Sequence, residues 1–187
     1  TLASVVVTGL VALATAQFVP TTRVGAQATA LDTGAIDRGL GRSGQASGDV
    51  YKVTFPRSDL HVVLGGVAIR PGLALTGWAA FKTAGGDTVA HGDLALTESE
   101  VNPVVAKLRE QQIDVTAIHN HLLGEVPRVM YVHFWGKGPA DRLASSLKAA
   151  LALTKTPPPA ASSPVAAEVP GADQIQQILG LKGQAKG

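Results

Sequence analysis

The 187-residue chain carries 16 Lys and Arg against 14 Asp and Glu, a formal net charge of +2, with 45% hydrophobic and only 4% aromatic residues. Arg23 is the one charged residue before Asp32, so the remainder is nearly neutral, which excludes the clustered basic face of a nucleic-acid binder. The absence of cysteine excludes disulfides, thiolate metal sites, a catalytic thiol and a lipid-anchored cysteine within these residues.

Residues 2–16 read LASVVVTGLVALATA, apolar and uncharged apart from Ser and Thr. That length suits the hydrophobic region of a signal peptide and is short for a spanning helix. Ala26-Gln27-Ala28 offers a small-x-small cleavage site, and Ala14-Thr15-Ala16 a second. Residues 1–28 are therefore expected to be an export signal. The mature protein is expected to be extracytoplasmic, periplasmic or secreted, with no stable membrane span.

Residues 33–40 (TGAIDRGL) predict a short helix with Asp32 or Thr33 as its N-cap, ended by the Gly-rich stretch 41–48. Strand signals follow. Residues 51–55 alternate and stop at Pro56; residues 61–69 are apolar around Gly65-Gly66; residues 73–81 and 88–96 flank the hairpin turn Ala84-Gly85-Gly86-Asp87. The period then changes. Thr97 and Glu100 have capping-box spacing before a helix whose apolar stripe is Val101, Val104, Val105 and Leu108. Strands are predicted over 114–122 and 129–135, separated by a loop, and Gly136-Lys137-Gly138-Pro139 is predicted to break the chain before a helix over 140–153 with Leu143, Leu147 and Leu151 in register.

Hairpins followed by α-β-β-α predict an α+β domain over 29–154, a largely antiparallel sheet covered by two helices on one face. Residues 155–170, with five prolines, predict an extended, stiff linker. Beyond it, IQQILGLKGQAKG at 175–187 aligns without gaps to IDRGLGRSGQASG at 36–48, with seven identities in thirteen positions at an offset of 139. That period is far longer than the roughly 20–50 residues of a solenoid unit and predicts a duplicated domain, of which 171–187 is the start. The second repeat is the expected partner of the first.

The segments LALTGWAAF, GDLALTESEVNPVVAKLREQQIDVTAIHNHLLGEVPRVMYVHFWG and the restart ADQIQQILGLKGQAKG resemble the LppY/LpqO family of exported bacterial proteins, most specifically in IHNHLL…PRVMYVHF. The resemblance implies export and tandem duplication, with no established activity. Some members are lipoproteins, a pattern from which a chain without cysteine departs.

His119-Asn120-His121, Glu125, Arg128 and His133 form the strongest chemical constellation, holding three of the five histidines within fifteen residues. On a strand, His119 and His121 project to one face. If the two strands pair in even-sum register, His119 lies near His133 or Tyr131. Three imidazoles and a carboxylate suit Zn²⁺, Fe²⁺, Mn²⁺ or Cu²⁺. His119, His121 and His133 are thus the candidate ligands, with Glu125 as base or fourth ligand and Arg128 holding an anionic group, the bland alternative for Arg128 being a surface ion pair. The spacing H-x-H-x₃-E is locally similar to the first metal motif of cupins, whose element order differs. His91 and Asp93, and likewise Asp59 and His61, extend a site if their strands adjoin the 114–135 hairpin. Trp78 and Phe81 read as core. Gly39 to Gly44 match G-x-G-x-x-G but leave a helix for a strand, the reverse of a dinucleotide fingerprint, so no nucleotide cofactor is expected.

The function expected is therefore that of an exported divalent-metal-binding domain, extending to a metal-dependent hydrolase. The alternative is a non-catalytic binding or interaction module of two packed repeats. Cleavage places the mature N-terminus between Gln17 and Leu31, and N-terminal sequencing of native protein checks this; an intact 1–16 segment refutes it.

Overall fold

A computed structural model describes residues 30–159 and 169–183. The expected export segment with its cleavage sites, the middle of the expected linker and the last four residues of the sequence repeat lie outside the described residues.

In chain order the elements are α1 (Thr33–Leu40), β1 (Gln45–Ser47), β2 (Val50–Pro56), β3 (Val62–Leu64), β4 (Val67–Ile69), β5 (Thr76–Ala84), β6 (Asp87–Thr97), α2 (Glu98–Glu110), β7 (Asp114–His119), β8 (Val129–Gly138), α3 (Ala140–Leu151) and α4 (Ala172–Leu179). They form the expected α+β fold. A six-stranded, wholly antiparallel sheet runs β1-β2-β5-β6-β8-β7, and β3-β4 make a separate hairpin. Three helices, rather than the expected two, cover one face, because α1 also lies against α3. Among the described residues no helix is long and apolar enough to cross a membrane.

Alternation decides the layers. Along β2 the pattern is strict, with Tyr51, Val53 and Phe55 inward. They meet Ala79 and Phe81 of β5, Ala90, Leu94 and Leu96 of β6, and Val132 and Phe134 of β8. Ile36 of α1, Val104 and Leu108 of α2, and Leu143 and Leu147 of α3 close the layer from above. Each large apolar side chain so buried contributes about 1.5–3 kcal/mol. The opposite face has its own small core at one end, where Val62, Ile69 and Leu75 cover Ala95, Val129 and Tyr131. The rest of that face is open.

Asp32 caps α1, its side chain accepting from the Ala35 N–H at 2.8 Å, and Gly41 ends the helix at φ 71°. Gly39 sits where any Cβ would overlap Ala144 of α3, and Gly44 where one would meet the Lys52 carbonyl. The glycine spacing thus serves packing and a turn. Three boundaries differ from expectation. Residues 73–75 are wound into turns on Arg70 and Pro71, so β5 starts at Thr76. β7 ends at His119 and leaves residues 120–122 in the loop. β8 runs through Gly136-Lys137-Gly138, which pair with Ala90, Val89 and Thr88; the break comes at Pro139, whose missing N–H suits a helix start.

One carboxylate ties the layers together. Glu100 accepts from Arg57 Nη1 at 2.8 Å and Nη2 at 3.2 Å, from the Thr97 N–H at 2.9 Å, as the capping box requires, and from the Lys155 N–H at 3.0 Å beyond α3. Arg57 is buried and donates also to both Asp59 oxygens and to the Ala95 carbonyl. Burial pushes the Glu100 pKa up, but Arg57 and the two N–H groups outweigh it and hold it below the usual value. A depressed folded-state pKa means that this stability is present above the ordinary carboxylate range and lost as pH falls through the folded value. Glu100→Gln should therefore cost about 3 kcal/mol at neutral pH and flatten the acid limb of the stability profile, as read by urea denaturation across pH.

Candidate metal centre

The open face is set by parity. On β8 the residues Val129, Tyr131, His133 and Trp135 face away from the helices; on β6 these are His91, Asp93 and Ala95, and on β5 Trp78. Cross-strand pairing then makes a row, Trp78 beside Asp93 and Asp93 beside His133. On β7, Val115 pairs with Phe134, while Ala117 pairs with His133 and His119 with Tyr131. The extra residue between them, Thr116, is a β-bulge, and it lets Val115 pack into the helix-side core while His119 serves the open face. The upper register is the even-sum one expected.

The three expected ligands come together. His119 Nε2 and His133 Nε2 lie 2.9 Å apart, one imidazole donating to the other, and one ligand atom from each of His119, His121 and His133 falls within 4.8 Å of the others. His121 arrives from the loop rather than from the strand. Asn120 Nδ2 donates to the Leu122 carbonyl at 2.6 Å and bends the chain, so the His121 ring stacks on Tyr131 with centroids 3.4 Å apart and on His119 at 5.0 Å. Tyr131 is the floor of the site, its hydroxyl donating to the Ala74 carbonyl at 2.7 Å. Burial first, then Asp93 and Glu125, pushes the phenol up to about 12, so it stays protonated. Burial lowers the His121 pKa, Asp93 opposes this, and His119 and His133 add to it; the neutral form that coordinates metal is favoured.

The carboxylate beside the imidazoles is Asp93. It is 5% exposed, with Oδ2 3.7 Å from His121 Nε2 and 3.9 Å from His133 Nε2. Glu125 is also buried, and its Oε1 accepts from the Val129 N–H at 3.2 Å, fastening the loop to the start of β8. Arg128 lies on the surface, 3.8 Å from Glu98, with 60% of its side chain exposed. Of the two conditional extensions, His91-Asp93 adjoins the hairpin; Asp59 belongs to Arg57, and His61 is exposed.

The remaining open face is aromatic. His91 Nδ1 lies 3.0 Å from the Phe134 carbonyl oxygen, which only accepts, so Nδ1 carries the proton. Its ring meets Trp78 edge-on at 5.4 Å, Trp135 at 6.2 Å and His133 in a stack at 6.1 Å. Phe81 is core as expected, but Trp78 faces outward under Lys52. Their spacing of three, an odd number on a strand, was the signal that they face opposite ways.

Residues 34–153 match the family described as Domain of Unknown Function (DUF1259). No curated protein and no solved structure matches the chain.

Gly92 separates His91 from Asp93, and a Cβ there would overlap the Phe134 ring and the Trp78 carbonyl. Gly92→Ala should cost about 1–3 kcal/mol by forcing Phe134 off its site, read as a lowered urea midpoint; an unchanged midpoint would show that the sheet has room there.

Proposed function

The chain belongs to the family of Domain of Unknown Function DUF1259, and we infer that it is an extracytoplasmic domain that binds one divalent metal ion through His119, His121 and His133. The observation that carries this reading is the convergence of three imidazole ligand atoms, from two strands and a loop, within 4.8 Å. Such a set suits Zn²⁺, Fe²⁺, Mn²⁺ or Cu²⁺. His119 and His121 are exposed, so one side of the ion meets solvent and can keep a water, which a divalent metal acidifies into a nucleophile for hydrolysis. Arg128 stands outside the cluster on a weak surface pair and is free to reach an anionic group of a substrate. Glu125 is engaged with backbone, and its part is to position the loop that carries His121. The hydrophobic leader and the resemblance to LppY/LpqO proteins support export.

The rival reading, a non-catalytic module of two packed repeats, is favoured by α4. Ile175 and Leu179 occupy the positions of Ile36 and Leu40 in the repeated sequence, and both helices end at a left-handed glycine. Yet Ile36 and Leu40 are buried against α3, whereas Ile175 and Leu179 are exposed.

Elemental analysis separates the two. Wild-type protein should carry about one ion per chain, and His121→Ala should lose most of it while its circular dichroism stays unchanged, because three side chains on one face share one ion. Binding should weaken as pH falls through the imidazole range, since a protonated ring has no lone pair to offer. A wild type without stoichiometric metal refutes the reading.

A further inference from the structure

We propose that Asp93 is the fourth ligand of this centre, making it a three-histidine, one-aspartate site for a borderline divalent ion such as Zn²⁺, Mn²⁺ or Fe²⁺. The proposal rests on the metal reading above and deepens it: with four protein donors, the water of the hydrolytic reading becomes a fifth ligand on the exposed side of His119 and His121.

The first ground is an unmet need. Asp93 lies in the middle of the sheet, 5% exposed, and its Oδ1 is buried with no hydrogen-bond partner among the described residues. A buried carboxylate in that condition is costly unless a cation or several donors face it. Among the described residues no protein group fills the role. Tyr131 gives its hydroxyl proton to the Ala74 carbonyl. Arg57 is committed to Asp59, Glu100 and Ala95, and Lys52 to the Trp78 ring. The other oxygen, Oδ2, faces His121 and His133 at 3.7 and 3.9 Å, beyond hydrogen-bond range, so neither oxygen of this carboxylate has a donor among the described residues and Oδ2 is the one turned to the imidazoles.

The second ground is spacing. Donors at about 2.1 Å from a tetrahedral ion stand ~3.4 Å from one another. His119 and His133 stand 2.9 Å apart and Asp93 Oδ2 stands 3.7 and 3.9 Å from His121 and His133, on either side of that value; the set within 4.8 Å of one another comprises the three histidines alone, so Asp93 approaches the ion from the side of His121 and His133. The Asp93 separations are too long for direct bonding between carboxylate and imidazole, and right for two donors that share an ion.

The third is rigidity. Asp93 is held in β6 with cross-strand neighbours Trp78 and His133 on either side, and Gly92 beside it admits the Phe134 ring beneath the strand. His121, by contrast, hangs from a loop. A strand-borne carboxylate and a strand-borne imidazole give the ion two fixed points, and the harder oxygen donor disfavours Cu⁺ against Zn²⁺, Mn²⁺ and Fe²⁺.

The test uses the full chain as wild type and Asp93→Asn, titrated with Zn²⁺ against a chromophoric chelator, with the Co²⁺-loaded visible spectrum and the melting temperature of the metal-free forms recorded in parallel. Asp93→Asn should bind Zn²⁺ at least about tenfold more weakly and alter the Co²⁺ band. Its metal-free form should melt at or above wild type, because a buried unpaired charge has gone. Equal affinity within about twofold and an identical Co²⁺ spectrum would overturn the role of Asp93 and leave the three-histidine site standing. A metal-free Asp93→Asn that melts below wild type would make Asp93 a structural partner of the imidazoles and overturn the proposal. Absence of Zn²⁺ and Co²⁺ binding in wild type would remove the metal reading itself.

Discussion

Side chains of a strand alternate between faces, so a central strand with different surroundings on its two sides tolerates no slip of register. β8 is that strand. Against β6 it pairs over ten positions, from Thr97 with Val129 to Thr88 with Gly138, and this sends Val132 and Phe134 into the helix-side core and Tyr131 and His133 to the open face. Against β7 the pairing shifts at Thr116, so that Val115 reaches the core while His119 stands over Tyr131. A shift of one residue between β6 and β8 would separate Asp93 from His133 and set Phe134 against the wrong face, and one between β7 and β8 would turn His119 away from Tyr131 and Val115 out of the core. Packing of the helix face thus holds the geometry of the other face.

The two buried polar clusters follow opposite logic. Around Arg57 every strong group is answered: two carboxylates, a carbonyl and the backbone N–H groups of Thr97 and Lys155 join the end of β2, the start of α2 and the chain beyond α3. Such a knot sets one guanidinium and two backbone N–H groups against two carboxylates, and its effect is structural. Around Asp93 the pairing is sparse: Oδ1 has no hydrogen-bond partner among the described residues, and of the three imidazoles beside it His119 and His133 bond one another. One sheet carries both arrangements. The aromatic shelf of Trp78, His91 and Trp135 extends from the second cluster along the uncovered half of the sheet.

Most of the fold was legible in the residues because its signals are local. The capping pair Thr97 and Glu100, the Gly85-Gly86 and Gly65-Gly66 turns, the alternation of Tyr51, Val53 and Phe55, and the four-residue spacing of Leu143, Leu147 and Leu151 each report on neighbours in the chain. The misplaced boundaries lie where tertiary contacts overrule local propensity. Gly136 and Gly138 read as breakers, yet both pair with β6, and Gly136 lies close beneath the Leu143 side chain. The helix over 33–40 was expected, but its place as a third cover of the sheet was not, because the contact of Gly39 with Ala144 joins segments about a hundred residues apart.

For the site, the sequence by itself determined which donor groups are on offer. Three imidazoles fall within fifteen residues in a chain without thiols, and two-residue periodicity with a short connection brings them near one another. Tertiary structure alone decided which carboxylate accompanies them. Glu125 is nearest in sequence but turns to the Val129 N–H, whereas Asp93 comes from 26 residues before His119 because β6, not β7, is the partner that β8 holds along its whole length. The bulge at Thr116 and the bend at Asn120, which bring His119 and His121 onto Tyr131, were equally invisible, because each is a local distortion stabilised by strands and rings that meet it only after folding. Residue identity fixes what a side chain can bind; which side chains share one ion is a matter of register, and register is set by the packing of the whole sheet.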